Sequence, residues 1–397
     1  MDFMSKSLSN TLLGVALVIM FTSNDKYFLI ANTYILFLLT IISAIVGILL
    51  KKKKVVFTYE NIYMICILYF VLVSCLVAWP NVDRGYALSY ILLCLLYISI
   101  NIRFISAKEI YSLISYYIIS AIIISLMILI FRVDYFGGGG YRYTIQFRDN
   151  MKIDPNYLAA YLSIPTIFSL KRLILPKRGE NKFFYVFCTI ILCSGVFLTG
   201  SRAAMIATIV GCAFVYIDYL IIVRKKDRYF ILKIAFSVIL IFIIANIILY
   251  NLPDTIYQRF FVNSYVDGSN DSRIELWYNG LQTIKDHPLF GSGMMTLTDA
   301  ISETTGHYAT AHNTYISLWI QLGAGGFALF VLLLGRLIIK NIQNRNFTLV
   351  GVMFSLLFTS MIIGAEVSIS FWITIIIITM INNYLDRDKE KTLQELI

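Results

Sequence analysis

Charged residues make up only 14% of this 397-residue chain, where a soluble globular domain carries about a quarter. Polar material is therefore too scarce for a separate water-soluble domain, beyond one large loop. Histidine is rarer still, with three in the whole sequence. The six cysteines, Cys66, Cys75, Cys94, Cys188, Cys193 and Cys212, all sit inside apolar runs and none in a polar loop. That placement gives no metal-ligand spacing and no external disulfide framework, and leaves them as small packing or lipid-facing residues. The first apolar segment, Leu8 to Thr22, is flanked by Lys6 and lacks a small-residue cleavage site, so it reads as a retained span rather than a signal peptide. No internal repeat and no matched pair of interrupted helices is visible, which argues against an inverted-repeat transporter.

Apolar residues fill the space that charge leaves: 59% of the chain is hydrophobic and its mean hydropathy is +0.77. A helix crosses the hydrocarbon core with about 20 apolar residues. On that rule the chain is an all-α polytopic membrane protein of about twelve transmembrane helices. They are expected near residues 8–23, 27–50, 59–79, 85–101, 110–131, 156–170, 183–199, 203–222, 230–250, 313–335, 347–364 and 368–384. The net charge of +10 would suggest nucleic acid in a soluble protein. Here the distribution across the membrane matters instead, and no nucleic-acid partner is expected. With the N-terminus inside, 23 of the 33 Lys and Arg fall on inside loops and ten outside. The excess of basic residues marks the cytoplasmic side, so both termini are expected in the cytoplasm.

This topology divides the chain into an N-terminal five-helix region (1–131), a first outer loop (132–155), central helices (156–250), a large outer loop (251–312) and C-terminal helices with a cytoplasmic tail (313–397). The large loop contains Trp277, helix-compatible stretches and the apolar patch "HPLFGSGMM", a composition that suggests a folded, partly helical cap.

The outer face gathers the residues with chemical potential. All three histidines, His287, His307 and His312, lie there, with Arg142, Arg148 and Lys152 in the first loop and Arg259, Arg273 and Lys285 in the second. Arg202 occupies the short turn "LTGSRAAMIA" between two apolar spans. Ionisable residues at the membrane edge are functional hypotheses by default. Arginine recognises phosphate bidentately, and the start of the following helix adds its dipole; a snorkelling side chain is the plainer alternative. In "DSRIELWYNGLQTIKDHPLFGSGM", Ile274, Trp277, Leu281 and Ile284 keep a helical period, with Asp271 or Ser272 as possible caps. Arg273 could equally sit on the wet side of a surface helix. Asp154-Pro155-Asn156 reads as a helix start; capping accounts for Asp154, while Asn156 is free to bind something. His312-Asn313, followed by Tyr315, opens the tenth span. Histidine suits proton transfer near neutral pH, though an interfacial polar role is also open. Gly323 to Gly326 form a small-residue face suited to helix packing.

The segment "AHNTYISLWIQLGAGG" fits H-N-x9-G-x-x-G and resembles the signature of the O-antigen ligase and O-antigen polymerase superfamily. "DPNYLAAYL", "LTGSRAAMIA" and "RIELWYNGLQTIKDHPLFGSGM" resemble that family in the same order, as does the large outer loop before the His-Asn helix. The resemblance covers roughly residues 150 to 335; the first five helices carry only generic apolar patterning. It implies a GT-C-like membrane glycosyltransferase of the bacterial inner membrane, working at the outer face without metal or other cofactor. Its donor would be an undecaprenyl-diphosphate-linked oligosaccharide and its partners a glycan acceptor, membrane lipids and a chain-length regulator. By the same resemblance Arg202 and Arg273 hold the diphosphate and His312 activates the acceptor hydroxyl or organises the site. Arg142, Arg148, Asp154, Asn156, Asn313 and Tyr315 are the expected substrate-binding residues.

A polymerase of lipid-linked repeat units is the first expectation, favoured by an Ile-, Lys-, Asn- and Tyr-rich composition. A ligase that transfers finished glycan to lipid A-core or another acceptor shares all the motifs. The aromatic first loop, "DYFGGGGYRYTIQF", could stack on sugar rings, or its four glycines could form a mobile gate. A flippase would carry charge along the midplane of several helices, whereas here charge collects at the helix ends.

Overall fold

A computed structural model describes residues 38–46, 48, 55–103, 106–136, 141–146, 152–176, 180–223, 250 and 269–387. The expected span 8–23, residues 230–249, most of 27–50, residues 251–268 of the large loop and Arg148 lie outside these residues. After a helical stretch at 38–46, the order is α1 (Tyr59–Val77), α2 (Arg84–Asn101), α3 (Ala107–Phe131), β1 (Arg132–Phe136), β2 (Tyr141–Ile145), α4 (Pro155–Ile174), α5 (Lys182–Leu198), α6 (Arg202–Val223), α7 (Ser269–Asp286), α8 (Leu297–Thr305), α9 (Thr314–Gln343), α10 (Phe347–Ser360) and α11 (Ile369–Arg387). Among the described residues, α1, α2, α3, α6, α9 and α11 are long and apolar enough to cross a membrane, and α5 and α10 are shorter apolar helices. The protein is a mostly helical, polytopic membrane protein.

Local sequence sets the helix starts. Asp83 caps α2 by accepting from the Tyr86 amide, and Ser106 with Glu109 forms a reciprocal capping box on α3. Asp154 accepts from the Asn156 amide ahead of Pro155, and Asn181 and Asn346 cap α5 and α10. The expected cap of α7 is corrected: the helix begins at Ser269, so Asp271 and Ser272 lie inside its first turn. The first outer loop also departs from all-helical expectation. Residues 132–136 and 141–145 pair as the two antiparallel strands of a hairpin, with Tyr135 opposite Arg142 and Val133 opposite Thr144.

The central helix is α4. Leu158, Ala159, Tyr161, Leu162, Ile164, Ile167 and Phe168 are all buried, and α4 packs against α3, α5, α6 and α10. Close crossings use small residues: a Cβ on Gly351 of α10 would lie 2.6 Å from Phe214 Cβ and 2.9 Å from the Gly211 carbonyl oxygen of α6.

One end of the bundle is fastened by ion pairs, several of them buried. Lys171 of α4 lies 3.0 Å from Asp218 of α6, and Asp218 also accepts from the Phe347 and Thr348 amides at the start of α10. Arg103 pairs with Glu109 at 3.1 Å, and Glu60 takes both Arg336 and Lys340, at 2.7 and 2.9 Å. Lys340 reaches on to Asp386 at 2.7 Å. These partners explain why α9 runs to Gln343 rather than stopping near 335: its last charged turns are satisfied within the bundle. Buried charge persists only when paired and hydrogen-bonded.

Candidate functional site at the opposite end of the bundle

The other end is built differently. There the starts of α2, α4, α6 and α9 meet the hairpin, the α7–α8 segment and the turn after α10. Two of the four motif segments meet through a side-chain hydrogen bond. Ser201, in the turn before α6, donates from its hydroxyl to Asn156 Oδ1 at 3.0 Å, joining "LTGSR" to "DPN". This turn is tight: Gly200 has φ +62°, Thr199 Oγ1 donates to the Val196 carbonyl at 2.6 Å, and Arg202 follows as the first residue of α6. The hairpin is stapled to the lead-in of α4, because the Ile153 amide donates to the Ile145 carbonyl and Thr144 Oγ1 donates to the Ile153 carbonyl.

The other two segments are joined at a break in α9. Gly323 has φ +65° and ψ −175°, a conformation essentially restricted to glycine. The break frees backbone groups that the segment 288–292 takes up. The Ala324 amide donates to the Pro288 and Leu289 carbonyls, and the Ser292 amide to the Ile320 carbonyl at 2.6 Å. Trp319 Nε1 donates to the Pro288 carbonyl at 3.1 Å. A Cβ on Gly323 would collide with the Leu289 carbonyl and the Phe290 backbone, and one on Gly291 with the Ile320 carbonyl. The Met294 amide and carbonyl then tie the same segment to Ser74 of α1 and Asp83. The expectation that Gly323 belongs to a packing seam is corrected: it is a docking break for the loop, while Gly325 and Gly326 pack closely on Phe70. Gly280 of α7 lies against Ile316 and Ala311, so the helix that carries Arg273 is set beside the residues leading into α9.

These supports bring Arg142, Asp154, Arg202, Arg273 and His312 into one electrostatic neighbourhood. Arg142 is buried on β2 with its guanidinium 5.9 Å from the Tyr135 ring centre. Burial lowers the pKa of Arg273, and the charges of Arg142 and Arg202 lower it further while Asp154 opposes them. His312 stands immediately before the Asn313 cap with φ +45° and an exposed edge. Partial loss of water lowers its pKa below the ordinary 6.5, Asp154 opposes and Arg273 adds to the lowering. Among the described residues, the side chains of Arg202, Arg273 and His312 form no hydrogen bond or ion pair. Three guanidiniums around one carboxylate make a cationic recess suited to a polyanion, beside a histidine biased towards its neutral, proton-accepting form.

The other expected residues take supporting positions. Asn313 Oδ1 accepts from the Tyr315 and Ile316 amides and caps α9. Tyr315 turns into the bundle and donates from its hydroxyl to the Leu357 carbonyl of α10 at 3.0 Å. Asp154 both caps α4 and faces Arg273 and His312. Glu366, in the turn after α10, belongs to this end of the bundle and was not singled out in the sequence. The signal was available: "IIGAEVSIS" places a lone acid between two apolar spans, the same anomaly that marks Arg202.

Residues 187–331 match a family model described as O-Antigen ligase, a region that contains Arg202, Arg273, His312 and the Gly323 break. An uncharacterized protein of Haemophilus influenzae is 22% identical over 224 residues, covering 51% of this chain and 54% of that protein. The chain therefore spans about half the length of this relative.

Proposed function

We propose, from the match of residues 187–331 to the O-antigen ligase model, that the chain belongs to the O-antigen ligase and polymerase superfamily and is a surface-polysaccharide polymerase that joins undecaprenyl-diphosphate-linked repeat units at the outer face of the bacterial inner membrane. The observation that carries this reading is the convergence of Arg142, Arg202 and Arg273 beside His312, with Asp154 the acid that acts on both Arg273 and His312 among the described residues. In the transfer, the acceptor hydroxyl oxygen attacks the anomeric carbon of the donor as the bond from that carbon to the diphosphate oxygen breaks. The electron pair leaves on the diphosphate, where the guanidiniums stabilise the developing charge. The hydroxyl proton passes to the neutral imidazole of His312, a general-base step. Attack from the face opposite the leaving group inverts the anomeric centre. Asn156 ties the start of α4 to the turn before α6, Asn313 caps α9, and Tyr135 offers an aromatic face beside Arg142.

Ligation of a finished glycan to lipid A-core or another acceptor uses the same site, and the description of the matching family favours it as the second reading. Product analysis separates the two. Purified protein given lipid-linked repeat units should yield a ladder of lengthening lipid-linked chains. A single product in which intact glycan has moved onto lipid A-core, with no ladder, would replace the polymerase by the ligase. The role of His312 has its own signature. The rate should rise with pH along a limb centred below 6.5, because the base must be neutral. His312→Ala should remove that limb and lower kcat about 10²–10⁴-fold; an unchanged limb in the variant would reassign the base.

A further inference from the structure

Behind the recess lies a buried polar cluster centred on Glu366. This residue sits in the turn between α10 and α11, outside both helices, and is only 3% exposed. The Tyr86 hydroxyl of α2 donates to its Oε1, and the Trp372 indole N–H donates to its backbone carbonyl at 2.7 Å. Its Oε2 is buried and has no hydrogen-bond partner among the described residues. Helix α9 turns Thr314, Ser317 and Gln321 towards the same region, all fully buried. Gln321 Oε1 accepts from the Tyr90 hydroxyl at 2.9 Å, while Gln321 Nε2 and Ser317 Oγ are also without partners.

The turn that carries Glu366 clamps two residues next to the recess. Thr314 Oγ1 donates to the Ile363 carbonyl and accepts from the Ala365 amide, both at 2.8 Å; His312 and Asn313 directly precede Thr314. The Tyr157 hydroxyl donates to the Gly364 carbonyl at 3.0 Å and accepts from the Gly364 amide at 3.1 Å; Asp154 and Asn156 directly precede Tyr157. A Cβ on Gly364 would lie 3.3 Å from both Glu366 oxygens and 3.5 Å from the Tyr157 hydroxyl, so the carboxyl and the phenol flank one glycine.

We propose that Glu366 is a positioning residue for glycosyl transfer: through the 361–368 turn its carboxyl fixes the α9 start that bears His312 and the α4 start that bears Asn156. The assignment rests on the transfer reading above. The working form is the neutral acid. A carboxylate buried with one oxygen unpartnered is costly, and burial pushes the Glu366 carboxyl up to about 7, against the lowering effect of Tyr86 and its own backbone amide. The groups that face it are Tyr86 and Tyr90 from α2, Tyr157 from α4, the uncharged Thr314, Ser317 and Gln321 from α9, and Trp372 from α11. No basic side chain among the described residues pairs with it. A carboxyl with a raised folded pKa favours the native arrangement while protonated and loses that contribution as pH rises through the folded value. The arrangement is therefore intact below about 7 and disturbed above it.

The test compares the reconstituted wild type with Glu366→Gln and Glu366→Ala, reading undecaprenyl diphosphate release against pH. Wild-type kcat should fall on the alkaline side with a midpoint near 7. Glu366→Gln, a permanently neutral mimic that can still accept from Tyr86, should stay within about threefold of wild type on the acid side and lose the alkaline fall. Glu366→Ala should lower kcat at least about tenfold with the donor KM held within about twofold. An alkaline fall in Glu366→Gln identical to wild type would overturn the assignment, even if Glu366→Ala fails to fold. So would full activity in Glu366→Ala. An inactive wild type would instead overturn the transfer reading, and the role of Glu366 with it.

Discussion

Arg202→Ala is expected to lower kcat/KM for transfer about 10²–10³-fold, and Arg273→Ala by a similar factor, the scale seen when one preorganised donor to a developing oxyanion is removed. Two independent elements aim these groups at one place. Arg202 leaves a turn closed by Gly200 and begins α6, so the helix dipole adds to its charge. Arg273 rides on α7, held beside α9 through Gly280. In the ligand-free protein burial holds Arg273 below its ordinary pKa, and repulsion from Arg142 and Arg202 adds to that lowering. Binding of a diphosphate relieves that repulsion, most strongly as negative charge grows on the leaving group. It follows that either alanine variant should lose activity without losing thermal stability, measured as the Tm of ligand-free protein in detergent. Lysine at position 202 keeps the charge but not the bidentate fork, and should recover only part of the loss. A double Arg202→Ala/Arg273→Ala variant that retained activity within about tenfold would remove the diphosphate site from the recess.

Gly323→Ala should be the most damaging single methyl in the described structure. The residue's φ of +65° with an extended ψ is accessible almost only to glycine, at a cost for any other residue of about 1–3 kcal/mol. The added Cβ also collides with the Leu289 carbonyl and the Phe290 backbone, neither of which is a flexible side-chain end. Relief of that clash would separate α9 from segment 288–292 and orphan the Ile320, Pro288 and Leu289 carbonyls now paired across the break. The expected loss is at least about 3 kcal/mol, read as a lowered detergent Tm together with loss of transfer. Gly335→Ala, on the same helix with nothing within 4 Å of its would-be Cβ, is the control and should leave both unchanged. Equal Tm values for the two variants would show that the break is not what docks the loop.

Most of the helical frame was legible because apolar length is a direct physical signal. The expected segments at 59–79, 85–101, 183–199 and 203–222 coincide with α1, α2, α5 and α6 to within about two residues at each end. What was not legible depended on contacts distant in sequence. The extension of α9 past Gly335 rests on Glu60 and Asp386, far away in the chain. The shortening of α10 to Ser360 rests on the Thr314 clamp, which draws residues 363–365 into a turn. The pairing of 132–136 with 141–145 was obscured by the four glycines between them in sequence, which read as a loop.

For the site, basic residues placed against the charge bias picked out Arg142, Arg202 and Arg273, and the structure brings these three together. Tyr315 shared their neighbourhood in sequence yet turns into the core. The Gly323 break could not be separated from a packing seam, because small residues serve both purposes and only the backbone angle distinguishes them. Glu366 is a lone ionisable residue between two apolar spans as Arg202 is, but an acid there does not run against the charge bias that marks the arginines.

The release of undecaprenyl diphosphate by purified protein in proteoliposomes, supplied with a defined undecaprenyl-diphosphate-linked oligosaccharide, tests the central claim most directly. One lipid diphosphate should be freed for each new glycosidic bond, in wild type and not in Arg202→Ala or His312→Ala. Donor that reaches the opposite leaflet chemically unchanged, with no free lipid diphosphate, would contradict glycosyl transfer and make the protein a carrier.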